Sequence, residues 1–270
     1  MMSRIQGLAV AVTASAIAMA APASAASFVF DTTGSFITSG AATFSSNTVG
    51  GTTLNVRVSA WQATDKSGNT DLDDISAAKL GAWDAGLGVI GKNESTNGND
   101  HQIDNTGGAV DFVLLQFDQA VSLTSIYRNV FRLDGNSTID SDAAYWADTR
   151  GTLGTDWTKA IALQNYDISE KLWTDIAGGS RASTGTLTGN SDVYGSSAVP
   201  TSNVWLVGAS FLATDRNDGF KIASLTVNYT PQAAVVPEPA TWAMFIGGFG
   251  LVGGALRRRR STGGQMVRFG

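Results

Sequence analysis

The segment TLNVRVSAW, from Thr53 to Trp61, constrains the fold more than any other feature of the chain. Leu54, Val56, Val58 and Ala60 fall on one side of an extended backbone, and Asn55, Arg57 and Ser59 on the other. A period of two with one wet face is the pattern of an antiparallel strand. AVDFVLLQFD (109–118) is a nearly continuous apolar run and reads as a strand covered on both faces. NVWLVGASFLA (203–213) and GFKIASLTVNYTP (219–231) add two more, and SFITSGAATF, VSLTSIYRNVF and WTKAIALQNYDI give weaker strand patterns. No helical period persists between Ser27 and Pro231. DSDAAYWADTRG reads as a helical turn or a loop, and GGSRASTGTLTGNSDVYGSS as a long polar loop. Short strands joined by Gly, Asn and Asp turns predict an all-β body, an antiparallel β-sandwich of jelly-roll type.

Composition narrows the chemistry. The absence of cysteine removes disulfides, thiolate nucleophiles and Cys-based zinc sites. A single histidine, His101, removes any site that needs two. Between Ala26 and Val236 stand 12 basic and 22 acidic residues, a net charge of −10, which repels phosphate backbones and argues against nucleic-acid binding.

Both ends of the chain read as addresses. Residues 1–25 hold Arg4, an apolar run from about Leu8 to Ala21, and then Ala23-Ser24-Ala25. This is the layout of a secretory signal peptide, with cleavage by signal peptidase predicted after Ala25, following export through the Sec translocon. The predicted body spans 26–230 and a small, Pro-bounded linker spans 231–236. In 237–260, Pro237-Glu238-Pro239 precedes the apolar run from Ala240 to Leu256 and the block Arg257, Arg258, Arg259 and Arg260. At about 1.5 Å per residue the run reaches roughly 25 Å, which predicts a short transmembrane helix. The arginines would hold residues 261–270 in the cytoplasm. The paired prolines keep the backbone extended and accessible just outside the membrane.

The triplet, the apolar span and Arg257 to Arg260 together resemble the PEP-CTERM sorting signal of Gram-negative bacteria. Trp242-Ala243-Met244 is similar to one variant of that signal. The resemblance implies recognition by an exosortase, a membrane-embedded, transpeptidase-like enzyme. The inner membrane would hold the chain transiently, and processing would release the body to the outer cell surface or the exopolysaccharide matrix. The ten-residue tail STGGQMVRFG is longer than the resemblance leads one to expect.

Within the body, Gly86 to Asp118 is the most suggestive stretch. Asp100, Asp104, Asn105 and Asp111 offer oxygen ligands within and just after a Gly/Asn-rich loop, as calcium requires. The same side chains could simply bond nearby backbone NH groups in turns. No cofactor is required by the sequence, and calcium is the one it could accept. Gly86 to Val89, Asn93-Glu94, His101, Asp104-Asn105, Asp111 and Phe117-Asp118 also resemble a pattern seen in some exosortase-dependent surface proteins.

A Ser-His-Asp triad could use only His101, and no Gly-x-Ser-x-Gly elbow accompanies it. The body has two glutamates, Glu94 and Glu170, and scattered aspartates, so no carboxylate pair stands out. Catalysis is therefore not expected. The reading is an exported structural protein of the surface or matrix. The first alternative is a carbohydrate-binding module acting on exopolysaccharide. Trp61, Trp83, Trp157, Trp173 and especially Tyr145 and Trp146 would supply its stacking faces. A glycoside-active enzyme is the weaker alternative.

Overall fold

The computed structural model describes residues 24–65, 74–96, 101–131, 142–163, 181–182, 191–193, 199–211, 216–231 and 239–260. Ala25–Thr230 forms one compact unit, and Pro231–Gly270 belongs to a second unit.

The body is built from antiparallel strands. β1 (Ala26–Asp31), β2 (Phe36–Thr38), β3 (Ala41–Ser45) and β4 (Asn55–Thr64) come first. β5 (Asp74–Ala77), β6 (Lys79–Trp83), β7 (Gly86–Ile90) and β8 (Ile103–Asp104) follow. After the long β9 (Ala109–Val130) come β10 (Ala143–Ala147), β11 (Arg181–Ala182) and β12 (Ser191–Val193). β13 (Ser202–Ala209) and β14 (Gly219–Tyr229) close the body. All fourteen join one continuous hydrogen-bonded sheet.

The reason the sheet is continuous lies in β9. Its first half pairs with β4 (Val58↔Leu115) and β13 (Leu206↔Leu114), and its second half with β14 (Leu225↔Ile126) and β12 (Asp192↔Ile126). AVDFVLLQFD and VSLTSIYRNVF were expected as separate strands. Between them stand only Gln119 and Ala120, with no glycine, proline or asparagine to reverse the chain. The backbone therefore runs straight on, and the two exposed residues mark the hand-over between neighbours.

The alternation in β4 holds, with Val56, Val58 and Ala60 buried and Asn55, Arg57 and Ser59 half-buried. Beyond Ala60 both faces of the strand are covered. Residues from both halves of the sheet share one hydrophobic cluster, including Phe28, Phe30, Val58, Phe117, Trp205 and Leu225. Phe30 of β1 meets Phe117 of β9 edge-on at 5.6 Å between ring centroids. Each such side chain contributes about 1.5–3 kcal/mol by leaving water. Trp205 is wholly buried and still donates its indole NH, to Ser202 O and Val121 O.

Three further expectations from the sequence need correction. DSDAAYWADTRG contains β10, whose five residues are all buried and pair with β13, so it is neither helical turn nor loop there. Trp157–Leu163, the described part of WTKAIALQNYDI, forms no strand. Its apolar residues Ile161 and Leu163 pack against the core without joining the sheet. The segment expected as a long polar loop contains the short β11 and β12.

The second unit contains one described helix, α1 (Pro239–Arg260). Proline suits a first helical position, where its missing NH would have no partner anyway. Trp242, Met244, Phe245, Ile246, Phe249, Leu251, Val252 and Leu256 are all exposed. Even so, among the described residues no helix is long and apolar enough to cross a membrane. The transmembrane helix expected over this segment is thus not confirmed among the described residues. The signal peptide with Ala23, the prolyl and glutamyl residues Pro237 and Glu238, and the tail 261–270 lie outside those residues, whereas Ala25 starts the body unit.

Candidate metal centre and sorting motif

The Gly-x-Gly of β7 lets three backbones approach closely. Gly86 has φ of +116°, and a Cβ there would lie 2.3 Å from Ile222 O on β14. A Cβ on Gly88 would lie 2.0 Å from His101 O. Small residues are needed on this strand because β14 and the His101 segment press on it. Val89 N donates to Gln102 O at 3.3 Å, tying β7 to that segment.

The chain then turns tightly. Glu94 N donates to Gly91 O, and Gly91 N donates to Glu94 Oε2 at 2.6 Å, which brings the Glu94 side chain back over the turn. From β8, Asp104 accepts the NH and hydroxyl of Thr106 on Oδ1, an Asx turn. Asp111 projects from β9 opposite Gln62 of β4 and accepts the Gln62 carboxamide NH on Oδ1 at 3.2 Å. Gln62 Oε1 in turn accepts from Lys92 N. One carboxylate oxygen from each of Glu94, Asp104 and Asp111 lies within 4.8 Å of the others. Burial holds the Asp111 carboxyl well above the usual range, and repulsion from Glu94 and Asp104 adds to this.

The candidate ligands read from the sequence are therefore sorted by the fold. Asp104 and Asp111 come together. Asp100 lies outside the described residues. Glu94 was not expected as a ligand, although its place in the Asn93-Glu94 part of the pattern could have signalled it. Asn105 serves another purpose. Its Nδ2 donates to Asp218 Oδ2 (2.7 Å) and Ser210 O (3.0 Å), and its Oδ1 accepts from Asp218 N (2.9 Å). Asp218 also accepts Asp142 N and Ser210 N. Asn105 thus fastens β8 to the start of β14 and, through Asp218, to Asp142 just before β10, and its amide is committed to the scaffold.

The His101 ring packs against Trp83 at 4.3 Å between centroids, with the planes tilted by 34°, and its Nδ1 lies 2.7 Å from Lys221 Nζ. The ammonium also sits over the Trp83 ring at 4.4 Å and near Phe131 at 5.1 Å. Desolvation pulls Lys221 from 10.5 down to about 8. A folded-state pKa below the unfolded one is a penalty while both states are protonated, and it disappears as the folded state releases its proton first. Stability is expected to rise between pH 8 and 10.5, by roughly 1–3 kcal/mol. Urea denaturation across that range should show the rise in the wild type and lose it in Lys221→Met.

Tyr145 and Trp146, the expected sugar platform, lie on β10 at 3% and 2% exposure. Trp146 packs edge-on against Phe211 at 4.9 Å between centroids. A buried ring has no face to offer a sugar, because β10 is covered on both sides. Trp61 is also buried and donates its NH to Ser59 Oγ. Trp83 spends a face on His101, Trp157 is half-buried, and Trp173 lies outside the described residues.

In the second unit, Trp242 is exposed on the first turns of α1, and Arg257 to Arg260 form its C-terminal end. Cations at that end of a helix complement its dipole. A protein-family model, the PEP-CTERM protein-sorting motif, matches residues 235–260. Neither the curated proteins nor the solved structures gave a match to this chain. The chain therefore carries, over residues 235–260, a PEP-CTERM protein-sorting motif, which marks an exported protein targeted by an exosortase.

Proposed function

We propose that this is a structural protein of the outer cell surface or exopolysaccharide matrix, delivered there by exosortase processing. The observation that carries the reading is the matched motif at 235–260, whose described part, α1, exposes its large apolar side chains and is assigned to another unit than the β body. On this reading the Sec translocon and signal peptidase act first, at Ala23-Ser24-Ala25. The exposed apolar residues of α1 then hold the chain transiently in the inner membrane, with Arg257 to Arg260 on the cytoplasmic side. Glycines are tolerated in lipid and allow close helix contacts, which suits a segment handed to a membrane enzyme. The Phe30 to Phe117 contact supports a body folded as a sandwich, with one sheet closed over a shared core. Its work is to bind and build rather than to catalyse.

Mass spectrometry of the exported protein tests this. The wild type is expected to have lost the residues after the Pro237-Glu238-Pro239 region, whereas replacing the triplet by three alanines should leave the C-terminus intact and the protein membrane-bound. An exported wild-type chain still continuous through Arg260 would overturn the reading.

A further inference from the structure

We propose that Glu94, Asp104 and Asp111 bind one hard divalent cation, calcium, at the end of the body's core. Three segments bring the carboxylates together: the turn after β7, the last residue of β8 and the start of β9. Convergence of acids alone would not identify a ligand. The second observation is Asp111 itself, which is 1% exposed and whose Oδ2 is buried with no hydrogen-bond donor. Its other oxygen is served by Gln62, so the side chain is held in place with one lone oxygen left over. A buried carboxylate oxygen without a donor is costly, and the charges acting on it here, Glu94 and Asp104, repel it. A bound dication would satisfy that oxygen and reverse the sign of all three interactions at once.

The donor set names the class of ion. It is all oxygen, without imidazole or thiolate, which excludes the preferences of zinc and copper. Calcium tolerates irregular shells of six to eight oxygens and takes backbone carbonyls and waters to complete them, whereas magnesium demands a near-ideal octahedron. The position gives the ion a task. Gln62 and Asp111 are paired in register directly beyond Ala60↔Val113 and Val58↔Leu115, the inward-facing rungs of β4 and β9. An ion there closes the end of the apolar core and fastens the turn at 91–94 and the end of β8 to β9.

The test uses the full chain, stripped with EDTA and titrated with calcium chloride by calorimetry, with thermal unfolding in parallel. One ion per chain is expected, in the affinity range of extracellular modules, a Kd of about 10⁻⁴–10⁻³ M, with a saturable rise in Tm. Glu94→Gln is the informative variant, because Glu94 is only partly buried and a glutamine can still accept from Gly91 N. It should weaken calcium binding at least about tenfold and raise the cation-free Tm, since one repelling charge is gone. Asp111→Asn should abolish the calcium response. Absence of saturable binding in the wild type would overturn the proposal and leave a carboxyl cluster held together by protonation of Asp111. So would a Glu94→Gln chain with unchanged calcium affinity. Neither result touches the sorting of the protein, which is read at the C-terminus.

Discussion

Asn105→Ala is expected to destabilise the body by about 4 kcal/mol, measured as a shift of the urea midpoint at unchanged slope. The wild-type amide is fully buried and makes three hydrogen bonds, two of them to Asp218. Alanine removes a donor from a buried carboxylate and takes one hydrogen-bond partner each from Asp218 N and Ser210 O, in residues wholly shielded from solvent. A buried group left unsatisfied costs about 1–3 kcal/mol, more when it is charged. The single substitution cuts the tie between residue 105 and the 210–218 region, more than a hundred residues away, so unfolding should stay cooperative. Asn105→Asp makes a sharper comparison. It keeps the size but replaces a donor by an acceptor facing Asp218 Oδ2, and should cost at least as much above neutral pH. A loss below about 1 kcal/mol for either variant would show that the knot is not holding these strands.

Gly88→Ala is expected to cost about 3 kcal/mol or more, and the reason is space rather than backbone angle. The added methyl would sit 2.0 Å from His101 O, with the carbonyl carbon of the same residue 3.0 Å away. Backbone cannot rotate aside as a side-chain tip can, so the His101 segment must retreat from β7. That retreat would loosen the bond from Val89 N to Gln102 O and shift the ring that packs against Trp83. Trp83 fluorescence should therefore change along with stability. Gly50→Ala is the control, since no atom stands within 4 Å of an added Cβ there, although φ is +58°. It should cost only the price of a left-handed alanine, about 1–2 kcal/mol, without altering Trp83. If Gly88→Ala matched that control in both readouts, the close approach would be disproved.

The strands were legible where a single face is wet, as in β4, and where apolar residues are contiguous, as in β9, β13 and β14. They were hidden where burial on both sides removes the alternation from short segments. β10 (Ala143–Ala147) is five buried residues of which three are alanine, and β7 is two glycines among three apolar residues. Neither has a period to read. The junction within β9 shows the converse limit. Local propensity marks where a turn is easy, but the change of neighbours at Gln119 and Ala120 is decided by strands more than eighty residues away. For the same reason Asp104 and Asp111 could be nominated from composition, whereas Asn105 could not be told apart from them. An asparagine in a loop offers the same oxygen to a cation or to a backbone NH, and only the arrival of Asp218 settles which. The sorting motif was fully legible because it is contiguous and its parts are recognised in linear order.

The placement of β14 has a consequence for timing. It is the last strand of the body, yet it pairs with β1, β7, β8 and β9, and the partner of Ala26 is Tyr229. A chain that crosses a membrane N-terminus first thus delivers the first strand long before the strand that completes it. Until Tyr229 emerges, β1 has no ladder along its length, and a closed, translocation-blocking body cannot form behind the pore. β14 ends at Tyr229 and the sorting motif begins at Val235. On the proposed route, closure of the sheet and arrival of the motif at the bilayer would therefore be nearly simultaneous, and the body would be able to stand alone at about the moment its tether could be cut.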